Sequence, residues 1–115
     1  MFMHIIRALD YGYRGLRIAF REEKIFKVEL AGAIIAILFG IYFHFTLIEY
    51  CVLVLASAAV LATDTLNTAI EELCDMIQPN ADPRIGRIKD VAGGAVLIVS
   101  LAAVAIGCLL FLRHL

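Results

Sequence analysis

Residues 50–75 decide the fold of this chain. They begin with the apolar run YCVLVLASAAVLAT (residues 50–63) and continue as DTLNTAIEELCD (residues 64–75). At 1.5 Å per residue the apolar run covers only about 21 Å, whereas a helix needs about 30 Å to cross a bilayer core. A span that starts at Tyr50 must therefore continue to about Ile70, which leaves Asp64 about 9 Å inside the inner boundary.

The polar residues of this stretch follow a helical repeat. Asp64, Asn67, Glu71 and Asp75 are separated by three, four and four positions, so on a helix they share an arc of roughly 80°. An acid at membrane depth costs several kcal/mol unless it faces protein, water or a cation, which marks it as a candidate functional residue. The alternative is a helix end that passes into water with ordinary solvated acids.

The composition predicts one membrane domain. Hydrophobic residues make up 63% of 115 residues, which excludes an ordinary soluble domain. We expect an all-α membrane protein in which residues 1–115 form a single domain. Residues 1–27 form an interfacial helix, and residues 28–48, 48–73 and 90–112 form three transmembrane helices.

Positive charges predict the orientation of the three spans. Most of the ten Lys and Arg residues precede the first span or lie between the second and third, and the turn around residues 46–49 has none. The positive-inside rule therefore places the N-terminus and the 78–90 loop in the cytoplasm.

The N-terminal segment has the pattern of an amphipathic helix. Apolar residues from Ile5 to Phe20 recur at steps of three and four, and basic residues occupy the other sides. A plain anchor to anionic lipid is the alternative to a role in the site. Glu22 and Glu23, however, fall where this helix meets the first span, at the predicted depth of Glu71.

The segment from Gln78 to Asp90 reads as a polar loop. Pro79 and Pro83 are expected to end the preceding helix after Ile77, and Asp90 is suited to cap the third span. Basic residues facing acids across a short loop could clamp a polyphosphate, although the same charges could merely enforce topology. These basic residues are Arg84, Arg87 and Lys89.

Together these motifs resemble the bacterial diacylglycerol kinase and undecaprenol kinase family. The resemblance rests on Asn67-Thr-Ala-Ile-Glu71 with Asp75, on Gly86-Arg87 through Lys89-Asp90, and on Gly15-Leu16-Arg17 with Glu23 near the N-terminus. It implies a homotrimer with active sites between neighbouring subunits in the bacterial cytoplasmic membrane.

The resemblance also implies roles for individual residues. Glu23 and Glu71 match metal-binding glutamates for Mg²⁺, and Asp64 falls at the position of the catalytic base. The remaining matches fall into two groups. The nucleotide-binding residues for ATP are Lys89, Asp90, Asp75, Arg87 and Arg17. The residues that support the substrate are Asn67 and Glu29.

Asp64 departs from the family pattern, which has Glu at this position. The two acids have similar reference pKa values, so the difference is reach. The Asp carboxylate is drawn back by one methylene, about 1 Å, and such a displacement can cost about 10²-fold in a near-attack geometry.

The expected activity is ATP-dependent phosphorylation of a membrane lipid. A base at this depth meets the hydroxyl of diacylglycerol or undecaprenol, and the sequence does not choose between them. The alternative is a non-enzymatic oligomeric module or cation-conducting assembly that uses its acidic ring. The basic residues next to the acids favour the kinase, because a cation pathway gains nothing from them.

Overall fold

The chain folds into four helices, described for residues 1–115 by a computed structural model. They are α1 (Phe2–Glu22), α2 (Lys24–Tyr42), α3 (Leu47–Ile77) and α4 (Pro83–Arg113). The last three are long and apolar enough to cross a membrane. The prediction of an all-helical chain with three apolar helices long enough to span a membrane is thereby confirmed.

A single residue separates α1 from α2. Glu23 has an extended backbone (φ −98°, ψ 105°), which interrupts the helix, although its N–H still donates to the Ala19 carbonyl at 2.9 Å. The helix α2 therefore begins at Lys24, four residues before the predicted start of the first transmembrane span at residue 28. Across the junction, the Lys27 ammonium lies 5.3 Å from the centre of the Phe20 ring, a cation–π contact between the two helices.

The connection between α2 and α3 differs from the sequence prediction. The first span ends at Tyr42 and not at residue 48, because Phe43–Thr46 form a turn with His44 in the left-handed region (φ 57°). Thr46 then caps α3: its hydroxyl accepts from the Glu49 N–H at 3.2 Å, and the Glu49 carboxylate accepts from the Thr46 N–H at 3.0 Å. This reciprocal capping box fixes the first turn of α3.

The start of α4 also corrects the sequence prediction. Asp90 does not cap the third span; Asp82 does, accepting from the Arg84 N–H at 2.9 Å. Pro83 occupies the first helical position, where its fixed φ suits a helix and its missing N–H costs nothing. The loop is therefore confined to residues 78–82, and Lys89 and Asp90 lie about two turns inside α4.

The helices form a bundle with little interior. α3 packs along α4 and α2 packs along α3, but only 6 of 115 residues are buried. Large aliphatic residues cover the outside, as in a chain whose surface faces lipid. At 31 residues, α3 and α4 are each about 46 Å long, which exceeds the bilayer core of about 30 Å.

The best-packed region joins the end of α4 to the start of α3. Glu49 is only 3% exposed, and its Oε2 lies 2.6 Å from Nε2 of His114. The His114 ring stacks on Phe45 at 4.6 Å, and Phe39 stacks on Phe111 at 5.8 Å. This end cluster, formed by Phe39, Phe45, Glu49, Phe111 and His114, holds the bundle together at the end opposite the acidic half of α3.

Candidate functional site

An open acidic groove lies between the Glu23 junction and the C-terminal half of α3. Its volume is about 410 Å³. It brings together Glu23 and the four aligned residues of α3, among which Asp64 is the deepest along the apolar run. The lining residues are Glu23, Ile25, Phe26, Asp64, Thr65, Asn67, Thr68, Glu71, Glu72 and Asp75.

Two local features of the sequence produce this groove. The helical period of α3 presents Asp64, Asn67 and Glu71 on one side. The break at Glu23 stops α1 from continuing into α2 and leaves the Glu23 side chain at the junction, beside that acidic side. Glu23 and Glu71, which the sequence predicts at the same depth, both line this groove.

Asn67 links the deep and shallow parts of the groove. Its Nδ2 donates to Oε1 of Glu71 at 3.3 Å. Its Oδ1 is buried and has no hydrogen-bond partner in the chain. A buried carbonyl oxygen without a donor is costly, so Asn67 offers an acceptor for a bound group.

A positive charge stands at the outer end of the groove. Lys89 of α4 places Nζ 2.6 Å from Oδ1 of Asp75 on α3. The Lys89 side chain remains 36% exposed, so phosphate oxygens in water could compete with Asp75 for its donors. Arg84 contacts Asp82 at 3.5 Å and is largely exposed.

The other predicted site residues lie outside the groove lining. Arg17, Arg87 and Asp90 are exposed on α1 and α4, with no ion pair. Glu29 faces a second cavity, of about 250 Å³, between α2, α3 and α4. One of its carboxylate oxygens, Oε2, is buried there without a partner.

The donor set fits Mg²⁺ bound together with a nucleotide. No group of three Asp, Glu, His or Cys side chains is close enough to hold a metal ion by itself. Mg²⁺ usually takes one or two carboxylates, phosphate oxygens and water, and does not need a full protein cage. Glu23 and Glu71 in one groove, beside the unpartnered Oδ1 of Asn67, provide that kind of ligand set.

Thr65, Thr68 and Glu72 also line the groove but were not predicted as site residues. Thr68 lies four residues after Asp64 and shares its helical face, so the period alone could have identified it. Thr65 and Glu72 lie toward the edge of that face. A sequence does not show which helix packs against such an edge, so it could not identify these two residues.

Comparison with known proteins gives one consistent family. The family described as prokaryotic diacylglycerol kinase matches residues 10–111. Diacylglycerol kinase of Escherichia coli K12 is 32% identical over 113 residues, which cover 98% of this chain and 93% of the relative. Undecaprenol kinase of Bacillus subtilis 168 is 31% identical over 102 residues, which cover 89% of this chain and 83% of the relative.

Proposed function

Because the chain belongs to the prokaryotic diacylglycerol kinase family, we propose that it transfers a phosphoryl group from ATP to the hydroxyl of a membrane lipid. The relatives are named for diacylglycerol and undecaprenol, and these are the two acceptors proposed. Each carries a single hydroxyl on a hydrophobic body. A lipid of this kind can present its hydroxyl at the depth of Asp64.

The acidic groove carries this proposal. It begins at Asp64, directly after the uncharged run of α3, and ends at the Asp75–Lys89 pair. A lipid hydroxyl can therefore approach from the hydrocarbon side while phosphates approach from the aqueous side. The cationic Lys89 at the aqueous end also favours a polyphosphate over the alternative of a cation pathway.

Asp64 is the proposed general base. Its carboxylate accepts the hydroxyl proton as the lipid oxygen attacks the terminal phosphorus of ATP, and the bond from that phosphorus to the ADP oxygen breaks. Asn67 holds Glu71 and offers Oδ1 as an acceptor near the reacting groups. Lys89 offsets negative charge on the phosphates.

Glu23 and Glu71 are the residues that would hold Mg²⁺. When bound, the ion would supply positive charge that offsets the negative charge of the phosphates. Asp75 orients the Lys89 ammonium by direct contact. Arg17, Arg87 and Asp90 are proposed as outer contacts to the nucleotide, and Glu29 as a support for the lipid.

The proposed setting is a homotrimer in the bacterial cytoplasmic membrane with a cytoplasmic N-terminus. The positive charges before α2 and between α3 and α4 support this orientation. The homotrimer is proposed from the resemblance of the sequence motifs to the family. In this arrangement α1 lies at the membrane surface and the groove opens to the side that contains ATP.

The test is phosphorylation by the purified protein in mixed micelles containing either diacylglycerol or undecaprenol. With ATP and Mg²⁺, one of these lipids should gain phosphate in a one-to-one ratio with ADP formed. Omission of Mg²⁺ should stop the reaction. Failure to phosphorylate either lipid, together with cation flux through protein-containing liposomes, would replace the kinase with the alternative.

A further inference from the structure

Asp64 is flanked by two threonines that both bond to the helix backbone. The Thr63 hydroxyl donates to the Ala59 carbonyl at 2.6 Å, and the Thr65 hydroxyl donates to the Leu61 carbonyl at 2.7 Å. The remaining serine and threonine residues inside helices make no such bond; they are Ser57, Thr68 and Ser100. The two bonds are therefore concentrated at the proposed base.

Such bonds alter the geometry of a helix locally. Each carbonyl accepts the threonine hydroxyl in addition to the backbone N–H four residues later, and this arrangement often bends a helix. The bond also fixes the χ1 angle of the threonine. Because both accepting carbonyls lie in the turn that precedes Asp64, the bonds affect the backbone from which its side chain projects.

The direction of that projection matters more for Asp than for a longer acid. Asp has only two side-chain torsions, so a displaced backbone cannot be corrected by a change of rotamer as readily as it could be for Glu. A shift of about 1 Å at a reacting group can cost about 10²-fold in rate. Small changes in α3 should therefore appear in the chemical step.

We propose that Thr63 and Thr65 are positioning residues that aim Asp64 into the acidic groove through their backbone bonds. The inference rests on the proposed role of Asp64 as base. It adds two residues to the reaction, neither of which transfers a proton. It also means that the backbone of α3 places the carboxylate of an Asp at the reacting position. The carboxylate of a Glu at position 64 would extend beyond it.

The two threonines differ in a way that separates positioning from contact. They lie about 100° from Asp64 on opposite sides of the helix, and only Thr65 lines the groove. Thr63→Val removes a backbone bond at almost constant shape without changing the groove wall. Thr65→Val removes both the bond and a groove hydroxyl.

The experiment measures lipid phosphorylation by T63V, T65V and the double variant, each beside its serine counterpart. T63V should lower kcat about threefold and the double variant about tenfold, a fraction of the cost of a full 1 Å shift. KM for ATP should stay within about twofold, since the nucleotide end of the groove is unchanged. T63S and T65S keep the hydroxyl and should retain the parental kcat.

A second arm introduces Asp64→Glu into the parent and into the double valine variant. In the parent, D64E should slow the reaction about threefold or more. The ratio compared is kcat with Glu at position 64 divided by kcat with Asp at position 64. In the double valine variant this ratio should be at least about threefold higher than in the parent, because a helix without the two threonine bonds no longer favours the shorter acid. A general loss of packing would lower both activities and leave this ratio unchanged.

The outcomes are distinct. Valine variants with parental kcat, serine variants that lose as much as valine, or an unchanged D64E ratio would each overturn the inference. If the double variant fails to assemble, T63V and T63S decide the matter alone. If D64N is as active as the parent, the proposed base itself fails, and with it the role given to both threonines.

Discussion

Glu23 and Glu71 reach the acidic groove from different elements, one from the helix junction and one from α3. We expect Glu23→Gln and Glu71→Gln each to reduce lipid phosphorylation more than tenfold. The reason is that each change removes a charge from the proposed Mg²⁺ ligands at almost constant volume. The measurement is kcat/KM for MgATP at saturating lipid, with the assembled state checked by size-exclusion chromatography.

Glu22→Gln is the matched control for Glu23→Gln. Glu22 is the last residue of α1, is exposed and does not line the groove. It should keep the parental rate. Retention of more than about a tenth of the rate by E23Q or E71Q, a loss of about 1.4 kcal/mol or less, would remove that residue from the metal site.

Asp64 is expected to contribute to the chemical step more than to binding. Asp64→Asn should lower kcat by at least about 10²-fold, the low end for general base catalysis. KM for ATP should change much less, because the nucleotide end of the groove lies about three turns away at Asp75 and Lys89. Parental activity in D64N would direct attention to Glu72, which lines the same groove.

Lys89 is expected to act on the nucleotide. Lys89→Ala should raise KM for ATP or lower kcat at saturating lipid, since the ammonium would contact phosphate, while the oligomer remains assembled. Lys24→Ala removes a cation of the same type from an exposed position outside the groove and should be neutral. Unchanged kinetics in K89A would assign Lys89 a purely structural pairing with Asp75.

At the level of residues, the sequence predicted what depends on helical period. Asp64, Asn67, Glu71 and Asp75 had to share a face once α3 was continuous, and they do. The hydrogen bond from Asn67 to Glu71 and the backbone bonds of Thr63 and Thr65 depend on rotamers, which a sequence pattern does not specify.

At the level of elements, helix existence was easier to predict than helix ends. The apolar runs correctly indicated three long helices, but hydropathy continued through Phe43–Leu47 and concealed the turn that ends α2 at Tyr42. Asp82-Pro83 is the stronger start signal for α4, because a capping acid directly precedes a Pro. The sequence prediction favours Asp90 as the cap only because it directly precedes the uncharged run.

The turn between α2 and α3 provides a test of stability. A Cβ atom on Gly40 would lie 2.8 Å from Cδ2 of Phe45 and 3.1 Å from Cε1 of Tyr50. Phe45 is only 8% exposed and stacks on His114, so it has little room to move. Gly40→Ala should therefore destabilise the protein, because an overpacking cost of about 1–3 kcal/mol exceeds the gain in helix propensity of up to about 1 kcal/mol.

Gly12→Ala is the control for this prediction. Nothing lies within 4 Å of a Cβ on Gly12, and Ala is the better helix former by about 1 kcal/mol. Thermal unfolding in detergent should show a lower midpoint for G40A and an equal or higher midpoint for G12A. Equal midpoints for G40A and the parent would show that the turn is free to open.

At the level of the whole molecule, one chain holds most but not all of the predicted site. Glu23, Asp64, Asn67, Glu71 and Asp75 line one groove within a single subunit. Glu29 instead faces the cavity between α2, α3 and α4, with an unpartnered carboxylate oxygen. If Glu29 supports the lipid, as proposed, it would do so in a trimer at the acidic groove of a neighbouring subunit.

Subunit mixing tests that arrangement. Glu29→Gln and Glu71→Gln should each be slow alone. The two variants are denatured together and reassembled in equal amounts. In a head-to-tail trimer, about a quarter of the interfaces then pair an intact Glu71 with a neighbour's intact Glu29. This mixture should restore about a quarter of the parental rate. Mixing E23Q with E71Q should restore nothing, because both residues line the groove of one subunit. Absence of rescue in the first mixture would confine Glu29 to its own chain, and rescue in the second would divide the acidic groove between subunits.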